Sequence, residues 1–340
     1  MLYFLLAVAL LFTACNTSDR VKVSATGSIY EVLIVSPNSV MPTVRHTMGE
    51  DMPFLPQPEP YFKPSTVTPA DFDHILAPSR NILFIDIDSI RYSAVKSKIL
   101  RDQWSTPQSV YRVQTPNAQA FHEYWSEYGT QVREWFVREE IRRQLSFYEA
   151  STNHDLRNRI KKHFACDLWV TNDYMLLMDT TISMPISGIL DSASTTFLWM
   201  CNNKGSLRRD MVMFSFPYTD DSTFTLSYLN AQRDALLGTF ISGQVQGSHM
   251  GTEYKVMPPE SRILDVDSTY TYEIRGLWKM LDGEAMGGPF VSHTWLDPYN
   301  ARVVTALVYV FAPGQKKRNP LRQAEAILYS RTQMPNQIKQ

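Results

Sequence analysis

The sequence predicts an α+β fold of mainly antiparallel sheets covered by helices. Three observations predict it. Segments of strand and helix character run in the order strands, helices, strands, helix, strands, helix, without the strict βαβ alternation of a doubly wound sheet. Hydrophobic residues make up 44% of the chain and charged residues 20%, which suits a packed core and argues against wholesale disorder. The texture changes near Ala165 from long helices to strands, which divides the chain into an N-terminal α+β lobe over 28–165 and a C-terminal one over 166–333. Two similar lobes are one option, although no residue-level repeat supports a duplication.

Each element follows from its pattern. Strands are expected at 29–35, 81–87 and 109–114, where β-branched and aromatic residues cluster. Between them lies a proline-rich stretch, Leu55-Pro56-Gln57-Pro58-Glu59-Pro60, which reads as an extended strap or as a docking peptide. Phe121, Trp125, Tyr128, Val132, Trp135 and Phe136 recur at helical spacing, and Ile141, Leu145 and Tyr148 continue the stripe. That helix should carry Glu134/Arg138 and Glu139/Arg143 pairs on its outer face. A second helix begins at about Asn153, with Lys161, Lys162 and His163 in its last turn, where cations suit the dipole.

Beyond Ala165, strands are expected at 167–171, 174–179, 195–201 and 209–216, with Asn172-Asp173 as a hairpin turn. Ser222 is the expected cap of a helix carrying Leu226, Leu229, Leu236 and Leu237. Further strands are expected at 253–257, 270–275, 291–295 and 302–311. Asn319-Pro320 reads as cap and first residue of a last helix. The tail over 334–340 is polar and reads as frayed.

The first residues speak to location. Leu2 to Phe12 is an apolar run, shorter than the roughly 20 residues that span a bilayer. Phe12-Thr13-Ala14-Cys15 resembles the lipobox of bacterial lipoproteins: Thr13, Ala14 and Cys15 match, Phe12 replaces the usual Leu, and no Lys or Arg precedes the run. The resemblance implies a signal peptide over 1–14, lipidation of Cys15 by diacylglycerol and a further acyl chain such as palmitate, and a polar tether over 15–27. Two or more acyl chains anchor a protein stably. Asn16, in place of Asp, points to the outer membrane. The expected home is the cell envelope, in contact with the periplasm, and the first expected partner is the membrane itself.

Composition narrows the remaining partners. The formal net charge is −1, so no basic excess points to nucleic acid. Cys166 and Cys201 remain after Cys15. An oxidising compartment permits a disulfide between them, and their apolar neighbours equally suit buried free thiols.

No nucleophile elbow, phosphate loop, HExxH, zinc-spaced cysteine pair or dinucleotide fingerprint is present, and no cofactor or metal is expected. His249 and Glu253 have i,i+4 spacing, but Gly247 and Gly251 argue against the helix a metal site would need there. Lys316-Lys317-Arg318 reads as a solvated loop that could touch anionic headgroups. The most unusual segment is 275–297, with Arg275, Trp278, Gly287, Gly288, Phe290, His293 and Asp297 as candidate binding residues. Gly287 and Gly288 are expected in a loop whose exposed amides could bind an anion or a peptide carbonyl, with ordinary turn glycines as the plainer reading.

Several segments together resemble a domain-of-unknown-function lipoprotein family of Gram-negative bacteria: Leu55-Pro56-Gln57-Pro58-Glu59-Pro60, Arg80-Asn81-Ile82-Leu83, Tyr218-Thr219-Asp220, Arg275-Gly276-Leu277-Trp278, Gly287-Gly288-Pro289-Phe290 and Lys317-Arg318. The resemblance runs from about Ser28 to Ser330. That family has no assigned activity, so it implies no catalytic residues. The expected function is a membrane-anchored envelope lipoprotein that is a non-enzymatic binding or structural module for a protein, peptide or glycan. The alternative is a periplasmic hydrolase using His293 with Asp297 or Glu284.

Overall fold

The computed structural model describes residues 22–182 and 195–334, so Cys15, the expected signal peptide and nearly all of the tail lie outside the described residues. The fold is α+β with mostly antiparallel sheets, as the element order predicts. The chain divides into two compact units. One holds residues up to 45 together with 64–128; the other holds 46–63 together with everything from 129 on.

The first unit contains β1 (Val23–Ser24), β2 (Glu31–Val35), most of helix α1 (Met41–Met48), β3 (Lys63–Val67), β4 (Asn81–Ile87), β5 (Lys96–Arg101), β6 (Ser105–Thr106), β7 (Ser109–Thr115) and the start of helix α2 (Ala118–Ala150). Its five-stranded sheet has the order β3-β2-β4-β7-β5. The central pairs β2–β4 and β4–β7 are parallel, and β5 runs antiparallel to β7. Parallel strands are covered on both faces, and these alternate little: Ile34, Ile82, Leu83, Ile85, Val110 and Val113 are all fully buried. β1 pairs with β6, so ordered structure begins inside the stretch expected to be tether.

The second unit contains the rest of α2, helix α3 (His154–Phe164), β8 (Cys166–Asp167), β9 (Met175–Ile182), β10 (Thr195–Lys204), β11 (Leu207–Pro217), helix α4 (Leu226–Phe240), β12 (His249–Glu253), β13 (Glu260–Val266), β14 (Thr269–Leu281), β15 (Gly287–Asp297), β16 (Arg302–Phe311), helix α5 (Arg318–Leu328) and β17 (Thr332–Gln333). Its eight-stranded antiparallel sheet has the order β12-β14-β15-β16-β11-β10-β9, with β13 beside β12 on the flank of β14. The 13-residue β14 is long enough to pair β13 with its first half and β12 with its second. The two units' sheets share neither strand count nor strand direction.

Several local expectations are corrected. Thr225, not Ser222, caps α4 by accepting the Tyr228 N–H, while Ser222 sits in a preceding 3₁₀ turn capped by Asp220. The Asn172-Asp173 turn forms, with Tyr174 N–H donating to Thr171 O at 3.0 Å, but it closes no hairpin because β8 pairs with β17 instead. β12 ends where the next strand was expected to begin: the Glu253 carboxylate accepts the N–H groups of Lys255 and Val256 and turns the chain away. On α2, Glu139, Glu140 and Arg143 are buried rather than outward: Arg143 binds Glu140 at 2.8 Å, and Glu139 binds the half-exposed Arg142 at 2.9 Å, while Arg138 stays exposed. Cys166 and Cys201 are both free and buried, and burial pushes the Cys166 thiol up to about 12.

The last helix shows how the strap is used. α5 starts at Arg318 with Lys317 as its cap residue and no side-chain cap of its own, so Asn319 does not cap it. The orphan N–H groups go to Glu59 of the proline-rich segment: Lys317 N–H donates to Oε1 at 2.6 Å and Arg318 N–H to Oε2 at 3.2 Å. The Arg318 guanidinium donates to Pro60 O at 2.7 Å. An anion at a helix N-terminus satisfies donors and dipole together. Lys317 and Arg318 are therefore drawn inward rather than left in a solvated loop. Replacing Glu59→Ala should lower unfolding stability by about 1–2 kcal/mol, read by thermal or urea denaturation; an unchanged midpoint would show that water serves α5 equally well.

Candidate functional site

The candidate residues sit on β14 and β15, whose side chains point alternately to opposite faces. Trp278 and Phe290 pack into one hydrophobic cluster with Ile274, Phe214, Leu307 and α4 residues such as Leu236. Arg275, His293 and Asp297 belong to the other face. Trp278 and His293 therefore line no common cavity. The sheet separates them, and the candidate segment resolves into two environments.

Gly287 and Gly288 are not a loop. Both lie in the β14–β15 ladder, opposite Lys279 and Trp278, and neither has a positive φ. Their amides belong to the sheet rather than to an anion site. What they provide is closeness: a Cβ on Gly288 would stand 2.0 Å from Val310 O, and one on Gly287 would stand 2.7 Å from Trp278 O. That approach lets Trp278 Nε1 donate to Val310 O at 3.2 Å. The connecting turn is 282–286, and Glu284 uses its carboxylate there to accept the N–H groups of Gln244 at 2.6 Å and Val245 at 3.0 Å. Together with its own N–H, these donors hold the carboxyl below its ordinary range.

The face with Arg275 is a buried charge network. Glu273 is fully buried. It accepts from Arg275 Nε at 2.7 Å and Nη2 at 3.1 Å and from Arg262 Nε at 2.5 Å, and His293 Nε2 meets it at 3.1 Å. Arg275 also binds Glu325 of α5, which receives Arg322 at 3.1 Å. Burial alone would raise the carboxyl of Glu273, but Arg275 and His293 outweigh it and hold it well below 4.5. Glu325 is lowered in the same way by Arg275 and Arg322 against its burial. His293 is fully buried, with its ring edge-on to Tyr329 at 5.1 Å. Asp297 is engaged elsewhere, with Arg302 at 2.9 Å and Asn300 at 2.7 Å. His293 and Asp297 thus have separate partners, and Glu284 belongs to the β14–β15 turn. The cleft of about 160 Å³ over this network is lined by Arg262, Arg275 and Arg322, whose guanidiniums are already bonded to Glu273 or Glu325.

The opposite face holds an apolar cavity of about 250 Å³. Trp199, Trp278, Tyr309 and Phe311 form its walls, and Met250, Met280 and Met286 fill between them. Beneath it lies Asp210, fully buried, which accepts from Trp199 Nε1 at 2.7 Å, Tyr309 Oη at 2.7 Å, and Arg208 Nε and Nη2 at 2.7 and 2.6 Å. Burial first, then the Asp210 carboxylate, push the Tyr309 hydroxyl well above its ordinary value, so it stays a donor. The chain 241–244 and the turn 282–286 supply the rim, joined by Glu284. Of the sequence candidates, only Trp278 lines this cavity. Trp199, Arg208, Asp210 and Tyr309 were missed. The available signal was a lone acid, Asp210, beside the apolar run Met211-Val212-Met213-Phe214. His249 and Glu253 lie on strand β12, not on the helix that i,i+4 ligation would need; Glu253 binds Lys279 at 2.8 Å, and His249 Nδ1 lies 3.1 Å from Gly247 O.

Residues 153–330, just over half of the chain, match the model of a domain of unknown function, DUF4837. The chain belongs to the DUF4837 family. Residues 25–149 match a second domain of unknown function, DUF8532. No curated protein matches the chain. The DUF4837 segment contains the whole cavity, Asp210, Glu273, His293 and Glu325; the Glu59 strap and α2 lie outside it.

Two outcomes follow for this segment. Glu273→Gln removes one of the two buried carboxylates on Arg275, leaving Glu325 to face the arginines alone, and should cost about 3–5 kcal/mol. Because the folded carboxyl is depressed, its stabilisation is complete above about pH 4.5 and disappears as pH falls through the folded value. The wild type should therefore lose stability on acidification below that point, and the variant should lose less; equal acid limbs in urea titrations would contradict the assignment. Gly288→Ala should destabilise by about 1–3 kcal/mol through overpacking and shift tryptophan emission as Trp278 is displaced. Unchanged emission and stability would mean the strands part without cost.

Proposed function

We propose that this DUF4837 protein is a cell-envelope lipoprotein, anchored through Cys15 at the outer membrane, and that its C-terminal unit is a non-enzymatic binding module. The anchor reading is supported by the apolar run ending in Thr13-Ala14-Cys15 and the polar residues Asn16 to Asp19 that follow. No described helix is long and apolar enough to cross a membrane.

The binding reading is carried by the cavity at Trp278. Its walls are aromatic and thioether groups, and its one deep carboxylate, Asp210, has four donors. Preformed apolar pockets with a few fixed polar groups are the usual form of small-ligand sites. Methionine side chains adapt their shape to a guest. We read the occupant as an apolar group of an envelope component, carried by a protein, peptide or glycan ligand. The hydrolase alternative receives no comparable support, because His293 is fully buried and held between Glu273 and Tyr329.

The anchor is tested by fractionating cells that express the full chain or its Cys15→Ser variant. The wild type should sediment with membranes and yield an N-terminal peptide with the mass of lipidated Cys15, and the variant should keep its first 14 residues and carry no lipid. A wild-type chain free in the cytosol with residues 1–14 attached would overturn the reading.

A further inference from the structure

The charge at the cavity narrows the ligand. This step rests on the proposal that the Trp278 cavity is a binding site. Arg208 is the one charged residue among those lining the cavity, and its side chain remains 35% exposed. It spends Nε–H and one Nη2–H on Asp210. A guanidinium has five N–H donors, so three are left over, and no other hydrogen-bond partner meets them among the described residues. The Trp199 ring faces the guanidinium carbon at 5.4 Å, and the bidentate bond to Asp210 fixes its plane. Asp210 itself is screened by its four donors, so the accessible edge of the pair is cationic.

Size and polarity complete the description. An apolar cavity of about 150 Å³ takes one benzene ring, so about 250 Å³ takes a larger group, such as two fused rings or a medium-length acyl chain. The interior offers that group rings, thioethers and the Ile241 side chain.

We propose that the cavity binds an amphiphilic carboxylate, with its apolar body between Trp278 and the methionines and its carboxylate on the free edge of Arg208. Arg208 is then the residue that sets specificity for an anion over a neutral or cationic amphiphile of the same length.

The test uses the full chain and three probes below their micelle concentrations: octanoate, 1-octanol and octylamine, titrated by calorimetry at pH 7.5. Octanoate should bind at least tenfold more tightly than either of the others. Arg208→Gln should bring octanoate down to the level of octanol, and Met286→Trp, which fills the cavity, should weaken all binding. The wild-type ranking needs no variant and stands if Arg208→Gln fails to fold. Equal binding of the three probes, or a preference for octylamine, would overturn the role of Arg208 while leaving the cavity as an apolar site. Binding of none of them would overturn the cavity as a site altogether. Octanoate binding unchanged by Met286→Trp would place the ligand elsewhere and also overturn the proposal. Naphthoate in place of octanoate then separates an aryl from an acyl ligand.

Discussion

The alternation of side chains along β14 and β15 is the constraint on which the rest of this molecule depends. A strand with period two cannot place Trp278 and Arg275 on one face, nor Phe290 and His293. The pairing of Glu273 with His293, and of Trp278 with Gly288, then stacks like with like across the ladder. One face becomes a closed ionic network under α5. The other becomes an apolar layer under α4 with an opening beside Met286. A segment that looks like one site in sequence is thus two unrelated devices back to back.

The two faces also differ in how their charges are handled. On the α5 side, Glu273 and Glu325 are buried with Arg275 and Arg322, and the half-exposed Arg262 closes the group, a grouping that is costly to desolvate and severe to break. Its members come from β13, β14, β15 and α5, so it acts as a register lock among elements that the chain adds late. On the α4 side, Asp210 is a single buried acid that gathers β10, β11 and β16 through Trp199, Arg208 and Tyr309. There Arg208 keeps an accessible edge beside an apolar cavity.

Much of the fold was legible. The helical stripe from Phe121 to Tyr148, the start of α3 near Asn153 and the strands 81–87 and 302–311 follow from local periodicity. What escaped is long-range. The cap of α5 comes from Glu59, more than 250 positions earlier. The parallel direction of β2, β4 and β7 depends on crossovers that no local pattern encodes. β13 was overlooked because it is an edge strand whose exposed Glu260, Arg262 and Asp265 mask its alternation, a common protection for such edges. At the site, Trp278 was readable as a large aromatic in a glycine-rich segment. Its partners were not, since Trp199, Arg208 and Tyr309 converge only through the register of three strands. Trp278 and His293 look like one group in sequence for a simpler reason: local patterns mark only 270–275 and 291–295, and side-chain parity counts only over the full strands 269–281 and 287–297.

Hydroxyl-radical footprinting of the folded chain, read residue by residue across 278–297, addresses this two-faced arrangement most directly. Met280 and Met286 should be oxidised readily while His293 and Trp295 stay protected until the protein unfolds. Oxidation of His293 in the native state at a rate comparable with Met286 would contradict it.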